Sequence, residues 1–459
     1  MNILLAHAYF LKDDRVERHV MKPYPPLGLL YVSGFLQDKN VEHHLFDGTF
    51  SSFDAVQEAI LESRPDILAL YVNFLTRLNV VRIVEWARGL EKLSHTRIVL
   101  GGPDVRFHVE EYLDVNVDFL VLGEGEITFY ELLTALGRNA GLAEVKGIAY
   151  RNEEGRTVFT GERPMEQDLS VFPWPNRSKT DVTRYMQSWK QHHGYSSLTI
   201  STQRGCPFTC TWCSHAVYGD TYRRRKVEDV VKEIAFLKQE YNPDHFWFVD
   251  DVFTMSERWL QDFAGQLSSQ GLHIRYECIT RADRMNEEVL KALKASGCAM
   301  LWIGAESGSQ KILDLMDRRV KAGQVREMIM RAREMGIRTG TFIMLGYPGE
   351  DEDDIEETIS HLVAAGPDQF TINTAYPIRG TRFYEEVEPV MEQGRDWKTT
   401  PDRDLKFRRK YSDRYYALAI RKVYNEVYAH RERRNGLTIK YWKYKLKAKV
   451  ADAGMKLLK

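Results

Sequence analysis

Eleven short apolar runs, alternating with stretches of helical period, constrain this chain more than any other feature. Five lie near the start: NILLAHA (2–8), VEHHLFD (41–47), DILALYV (66–72), RIVLGG (97–102) and VDFLVLG (117–123). Runs this apolar suit strands buried on both faces, and strand–helix alternation calls for a parallel, doubly wound sheet. A second block carries six more: SLTIST (197–202), HFWFVDD (245–251), IRYECITR (274–281), AMLWIGAES (299–307), RTGTFIMLG (338–346) and QFTINTA (369–375). Six strand–helix units are expected to form a partial (β/α) barrel with its chemistry at the carboxyl ends of the strands. Between the blocks, FPWPN (172–176) and the polar RNEEGRT hairpin read as a connector with little core of its own. The α/β chain therefore divides on paper into 1–140, a connector at 141–194, a barrel at 195–390 and a helical C-terminal region at 391–459.

In doubly wound sheets, ligands bind outside the carboxyl ends of the strands. In the first block those ends carry His7, Asp47, NFLTR with Asn73 and Thr76, GGPD with Gly101 and Gly102, and GEGE with Gly123, Glu124 and Gly125. Glycine lets backbone approach a ligand closely. GGPD or GEGE alone reads as a turn; together they point to a ligand.

Composition bounds the rest. With 459 residues, 43% hydrophobic and 28% charged, the chain is an ordinary globular protein of two or three domains. No apolar stretch approaches the roughly eighteen residues of a membrane span. MNILLAHAYF reads as a first strand rather than a signal peptide, and five cysteines, an odd number, do not make a disulfide framework. The expected compartment is the reducing cytoplasm. From Asp404 to Lys459 there are 17 Lys/Arg against 5 Asp/Glu, so this tail carries +12 of a chain whose net charge is −1.

Three of the cysteines, Cys206, Cys210 and Cys213, sit in RGCPFTCTWCSH (204–215), directly after the first strand of the second block. Three soft thiolates suit zinc or an iron–sulfur cluster. A closed zinc site wants four ligands, and His215 would complete Cys3His. Alternatively, three cysteines leave the fourth iron of a 4Fe-4S cluster open to a substrate or cofactor, and a position at the mouth of a barrel favours this. Cys278 and Cys298 read as core residues.

Cx3Cx2C after the first strand of a six-unit barrel resembles the radical S-adenosylmethionine (radical SAM) enzymes. The resemblance implies that the open iron chelates SAM and that SAM is cleaved to a 5′-deoxyadenosyl radical. It further implies that Trp212 lies near the adenine, that Asp250 or Asp251 of FVDD faces the SAM amine, and that Arg281 pairs with its carboxylate, with an ion pair to Asp283 as the alternative. Glu306 of GAESGS is similar to the residue that bonds the ribose, and FIMLGYPGE, with Gly346, to the segment that contacts adenine. Glu350 is offset by one from that pattern and reads equally as a helix N-terminal acid. Residues 1–197 contain no cysteine, so a second cluster of the methylthiotransferase kind has no ligands there.

The first block, with YPPLGLLYVSGFL, LFD, GGPD and LGEGE, resembles the Rossmann-like cobalamin-binding domain of cobalamin-dependent radical SAM enzymes. RGCPFTCTWCSHAVYGDTYRRR followed by VEDVVKEI is similar to their methylase and anaerobic cyclase branch. The two resemblances cover roughly residues 1–390. The DxHxxG signature of other cobalamin proteins is missing, and His7 reads as structural. The implied function is hydrogen abstraction from an unactivated carbon and methyl transfer from methylcobalamin, with an electron donor such as flavodoxin or ferredoxin. A radical cyclase or rearrangement enzyme on a porphyrin-like or lipid substrate is the alternative, and a non-catalytic cobalamin or metal sensor stands as one of another class. Residues 436–459 mix Trp, Tyr and Leu with seven lysines, a pattern that suits peripheral contact with a membrane, a solvated helix face or an acidic partner. No nucleic-acid reader motif accompanies the charge.

Overall fold

The computed structural model describes residues 1–138, 140–392 and 396–459. They form two compact units. The first comprises residues 1–207, 214–246 and 396–404; the second comprises 208–213, 247–392 and 405–459.

The first unit is built on seven strands: β1 Ile3–His7, β2 His44–Asp47, β3 Ile67–Tyr71, β4 Arg97–Gly101, β5 Phe119–Val121, β6 Ile148–Arg151 and β7 Thr157–Phe159. Their order is β2-β1-β3-β4-β5-β6-β7. The first five are parallel and the last two antiparallel. Successive residues of a strand point to opposite faces, and here both faces are covered. Leu4 and Ala6 enter one core cluster with Leu68, Leu70, Ile98 and Leu100. Ile3 and Leu5 enter the other with Ile67, Ala69 and Val99. Burial on both sides is why these strands read as continuous apolar runs rather than alternating ones.

Two features depart from the sequence reading. RNEEGRT is the turn of the β6–β7 hairpin, which extends the first sheet instead of belonging to a connector. Residues 396–404, expected in the C-terminal region, return to the first unit. There Trp397 packs on the core beside Tyr112 and His108, and the almost fully buried Arg77 donates to Asp402 at 2.7 Å and to the Thr400 carbonyl at 2.6 Å.

Strand β8 (Ser197–Ile200) is followed by a two-stranded antiparallel ribbon of β9 (Gln203–Arg204) and β10 (Arg223–Arg224). Strand β11 (His245–Phe248) begins in the first unit, where the His245 N–H donates to the Ser196 carbonyl at 2.9 Å, and ends in the second. The second unit continues with β12 (Tyr276–Thr280), β13 (Cys298–Glu306), β14 (Arg338–Leu345) and β15 (Gln369–Thr374), in the order β15-β14-β13-β12-β11. Neighbours from β12 to β15 are parallel. Helices fill the intervals, several begun by side-chain caps such as Ser256, Asn286 and the capping box of Asp351 with Asp354. The expected C-terminal helices are Asp413–Arg433 and Ile439–Leu457.

Gly102, at the end of β4, has a φ of +120°, and a Cβ there would run into the Val72 carbonyl. Gly102→Ala is therefore expected to destabilise the protein by about 1–3 kcal/mol, seen as a lower midpoint in denaturant unfolding; an unchanged midpoint would refute the close approach.

Candidate functional site

A cleft opens at the carboxyl ends of β3, β4 and β5 in the first unit. Its lining includes Gly101, Gly102, Gly123, Glu124 and Gly125, the strand-end residues expected to meet a ligand, together with Leu29, Val99, Phe129, Tyr71 and Tyr218. Burial pushes the Tyr71 phenol up to about 12 and raises that of Tyr218, so both stay protonated hydroxyls at neutral pH.

Three other expected residues have structural duties. The Asp47 carboxylate accepts from Thr180 at 2.5 Å, from Tyr185 at 2.7 Å and from the Thr49 N–H, and lies 3.6 Å from His7 Nδ1. Burial alone would raise this carboxyl, but its partners hold it below the usual carboxylate range. Asn73 Oδ1 accepts from the N–H groups of Leu75 and Thr76, and the Thr76 hydroxyl donates to the Tyr71 carbonyl. A polar side chain at a strand end either caps its own loop or meets a ligand; Asp47, Asn73 and Thr76 cap.

Glu124 lines the cleft and also does something the sequence did not reveal. Its two oxygens accept from Arg204 at 2.7 Å and Arg223 at 2.8 Å, the residues facing each other across the β9–β10 ribbon. Glu126 takes the other arm of Arg204 at 2.5 Å. The Arg204 guanidinium also lies 4.1 Å from the Phe172 ring centre. All four charged side chains are buried. Burial would lower the Arg204 pKa, but Glu126, Tyr218 and Glu124 raise it well above its ordinary value. This network fixes the base of the loop that carries the cysteines. Gly205, with a φ of +83°, completes that base: a Cβ there would strike the Thr221 carbonyl.

Cys206 is buried in the first unit; Cys210 is buried and Cys213 exposed in the second. Two guanidiniums meet Cys210 Sγ: Arg281 Nη1 at 3.5 Å and Arg318 Nη1 at 3.7 Å. Arg281 also forms its ion pair with Asp283 at 2.9 Å, donates to the Arg318 carbonyl at 2.7 Å and stacks on Phe208 with 3.6 Å to the ring centre. Neither Arg318 nor Phe208 was singled out from the sequence. Phe208 lies within the cysteine motif and was open to suspicion; Arg318, distant in sequence and in no recognisable pattern, was not. Trp212 packs against the cluster containing Ile312, Met316 and Tyr347. Asp250 is buried and Asp251 exposed, which separates the two candidates in FVDD.

Glu306 ends β13 at a register shift, in a left-handed conformation with φ +64°. A non-glycine residue held so carries strain that clusters at functional sites. Burial raises its carboxyl, against the Arg318 guanidinium 3.8 Å away. Gly346 is not an open strand end: its Cα faces Arg409 and Tyr416, and its N–H donates to Glu350 Oε2 at 2.5 Å. Glu350 is thus no solvated helix-terminal acid. It is 1% exposed, its Oε1 lacks a hydrogen-bond partner, and burial pushes its carboxyl up to about 8.

The Radical SAM superfamily model matches residues 200–362, and the B12 binding domain model matches residues 18–133. The chain is a radical SAM protein with a B12 binding domain. An uncharacterised methyltransferase of Pyrococcus horikoshii is 29% identical over 427 residues, covering 91% of this chain and 90% of the relative. The anaerobic magnesium-protoporphyrin IX monomethyl ester cyclase of a Synechocystis strain is 27% identical over 370 residues, covering 78% and 72%. Among solved structures, the radical SAM methyltransferase TsrM of Kitasatospora setae, with cobalamin and a 4Fe-4S cluster bound, shares the fold at a TM-score of 0.70, with 18% identity, 84% of this chain and 77% of that one covered.

The cofactors of such a protein are a 4Fe-4S cluster, SAM and cobalamin. Its residues fit them. Three thiols suit a cluster, and two guanidinium N–H donors reach the Cys210 sulfur, where they would orient a cluster ligand. Among the described residues no three or more His, Cys, Asp and Glu side chains converge as one metal ion would need; a cluster asks instead for sulfurs on separate irons. The glycine-lined, mostly apolar cleft suits a large flat ligand approached by backbone, and no histidine lines it.

Two expectations follow. Glu124→Ala leaves Arg204 and Arg223 buried with Glu126 alone, and should cost about 3–5 kcal/mol in denaturant unfolding; a loss near zero would mean that solvent reaches the network. Glu350 keeps its proton in the folded state up to about pH 8, while the unfolded group releases it near 4.5. Wild type should therefore lose stability as pH rises between those values, and Glu350→Gln should not, so their unfolding midpoints should diverge with rising pH across that window.

Proposed function

We propose that this protein is a cobalamin-dependent radical SAM methyltransferase acting on an unactivated carbon of a small-molecule or lipophilic substrate. One observation carries the reading. A single chain holds both the three-cysteine loop and a strand-end cleft in a B12 binding domain, and the arginines at the base of that loop are anchored by the acids of the cleft's GEGE turn. When bound, the cluster supplies the electron that cleaves SAM, and cobalamin carries the methyl group.

The chain's own residues bind and orient. Cys206, Cys210 and Cys213 hold the cluster, while Arg281 and Arg318 direct N–H groups at the Cys210 sulfur. Trp212, Asp250 and the strained Glu306 are assigned to SAM. Gly101, Gly102, Gly123 and Gly125 present backbone to cobalamin, and the apolar wall around them excludes water. The remaining partners are an electron donor of the flavodoxin or ferredoxin kind and a membrane surface touched through residues 436–459, with the protein in the cytoplasm.

A cyclisation is the second reading, favoured by the likeness to the anaerobic cyclase. Anaerobically reconstituted protein should hold about four irons per chain and cleave SAM, and Cys210→Ala should abolish cleavage; retained cleavage would sink the assignment. With methyl-labelled SAM and candidate substrates, label in the product marks a methylase, and an unlabelled cyclised product marks the second reading.

A further inference from the structure

The helix Ile439–Leu457 lies on the helix Asp413–Arg433 in the second unit. Its docked face is fixed by the buried Ala448, Ala451 and Met455, by Lys445 on Glu426 at 2.8 Å and by Tyr444 beside Tyr428 with ring centres 5.6 Å apart. The opposite face is apolar and uncovered. Ile439 and Leu457 are each 88% exposed, Trp442 59%, Leu446 65% and Val450 64%. At about 100° per residue these five fall within a stripe about 80° wide, running about 27 Å along the axis.

Charge frames the stripe. Lys440, Lys443 and Lys447 follow one margin and Lys449 the other; all four are exposed and take part in no ion pair among the described residues. The one acid of the helix, Asp452, is turned to the docked side, where Lys422 and Lys456 hold it. Solvent exposure of so many large apolar side chains in one row is unfavourable for a helix facing water alone. A stripe of Trp, Leu, Ile and Val bordered by cations only, with no acid, complements a surface that is apolar a few ångströms down and negative on top.

We propose that this helix docks flat on an anionic lipid bilayer, with Trp442, Leu446 and Val450 among the acyl chains and the lysines at the headgroups. This deepens the peripheral membrane contact proposed above, and its test is independent of catalysis. A protein held at that surface would draw a lipophilic substrate from the same layer.

The full-length protein should co-sediment with vesicles containing about 30% phosphatidylserine in phosphatidylcholine, and only weakly with phosphatidylcholine alone. Each lysine near the surface contributes roughly a factor of five, so K443Q with K447Q should weaken binding about thirtyfold. Leu446→Asp should abolish binding while leaving SAM cleavage and cobalamin uptake by the soluble enzyme unchanged, because Leu446 touches neither site. No binding to anionic vesicles, or binding that L446D does not reduce, overturns the proposal. A dimer in sedimentation velocity that L446D dissociates, without vesicle binding, would make a second copy of the chain the occupant and overturn it equally. If the vesicle results hold while SAM cleavage fails, the catalytic reading falls and the docking stands.

Discussion

Two arginines, Arg204 and Arg223, face each other across a short ribbon with Glu124 bonded to both. Like charges opposite one another destabilise a strand pair. Here each guanidinium takes one oxygen of a single carboxylate, and Glu126 takes what remains of Arg204. Buried charges are expensive unless every one is paired, so the arrangement is close to all-or-nothing. That property suits the place it occupies. The loop above it carries a metal-binding motif, and a loop of irregular backbone gains its fixed geometry from its base. Using the GEGE turn as that base couples the cysteine loop to the strand end that forms the cleft.

Around Cys210 the second unit concentrates positive charge and strain. Arg281 and Arg318 both reach its sulfur, and the Arg318 guanidinium also lies near the left-handed Glu306. Glu350 works in the opposite sense: a buried acid kept protonated, holding the Gly346 N–H without adding charge to a crowded interior. One unit thus keeps charge where a cluster needs it and suppresses charge where only shape matters.

The strands were legible because burial on both faces removes the polar half of the pattern, and what remains is hard to read as anything else. All eleven sequence runs contain a strand of the structure. RNEEGRT was legible as a hairpin, but a polar turn carries no sign of which sheet its arms join. A polar residue at a strand end looks the same in sequence whether it caps a loop or faces a cofactor, and the partners of Asp47, such as Tyr185, are far away in sequence. Arg318 and Arg204 were invisible for a related reason. Their roles lie in pairings across some eighty to over one hundred positions, which no local period records.

The return of residues 396–404 bears on how the chain is made. The first unit is assembled from three stretches, and its last buried ion pair, Arg77 with Asp402, joins residues 325 positions apart. A ribosome reading from the start exposes the whole first sheet long before Asp402 exists, leaving Arg77 with Asp104 alone. The two units are interleaved along the chain, so neither can finish as an independent product of synthesis. Completion of the first unit therefore waits on translation of nearly the entire protein.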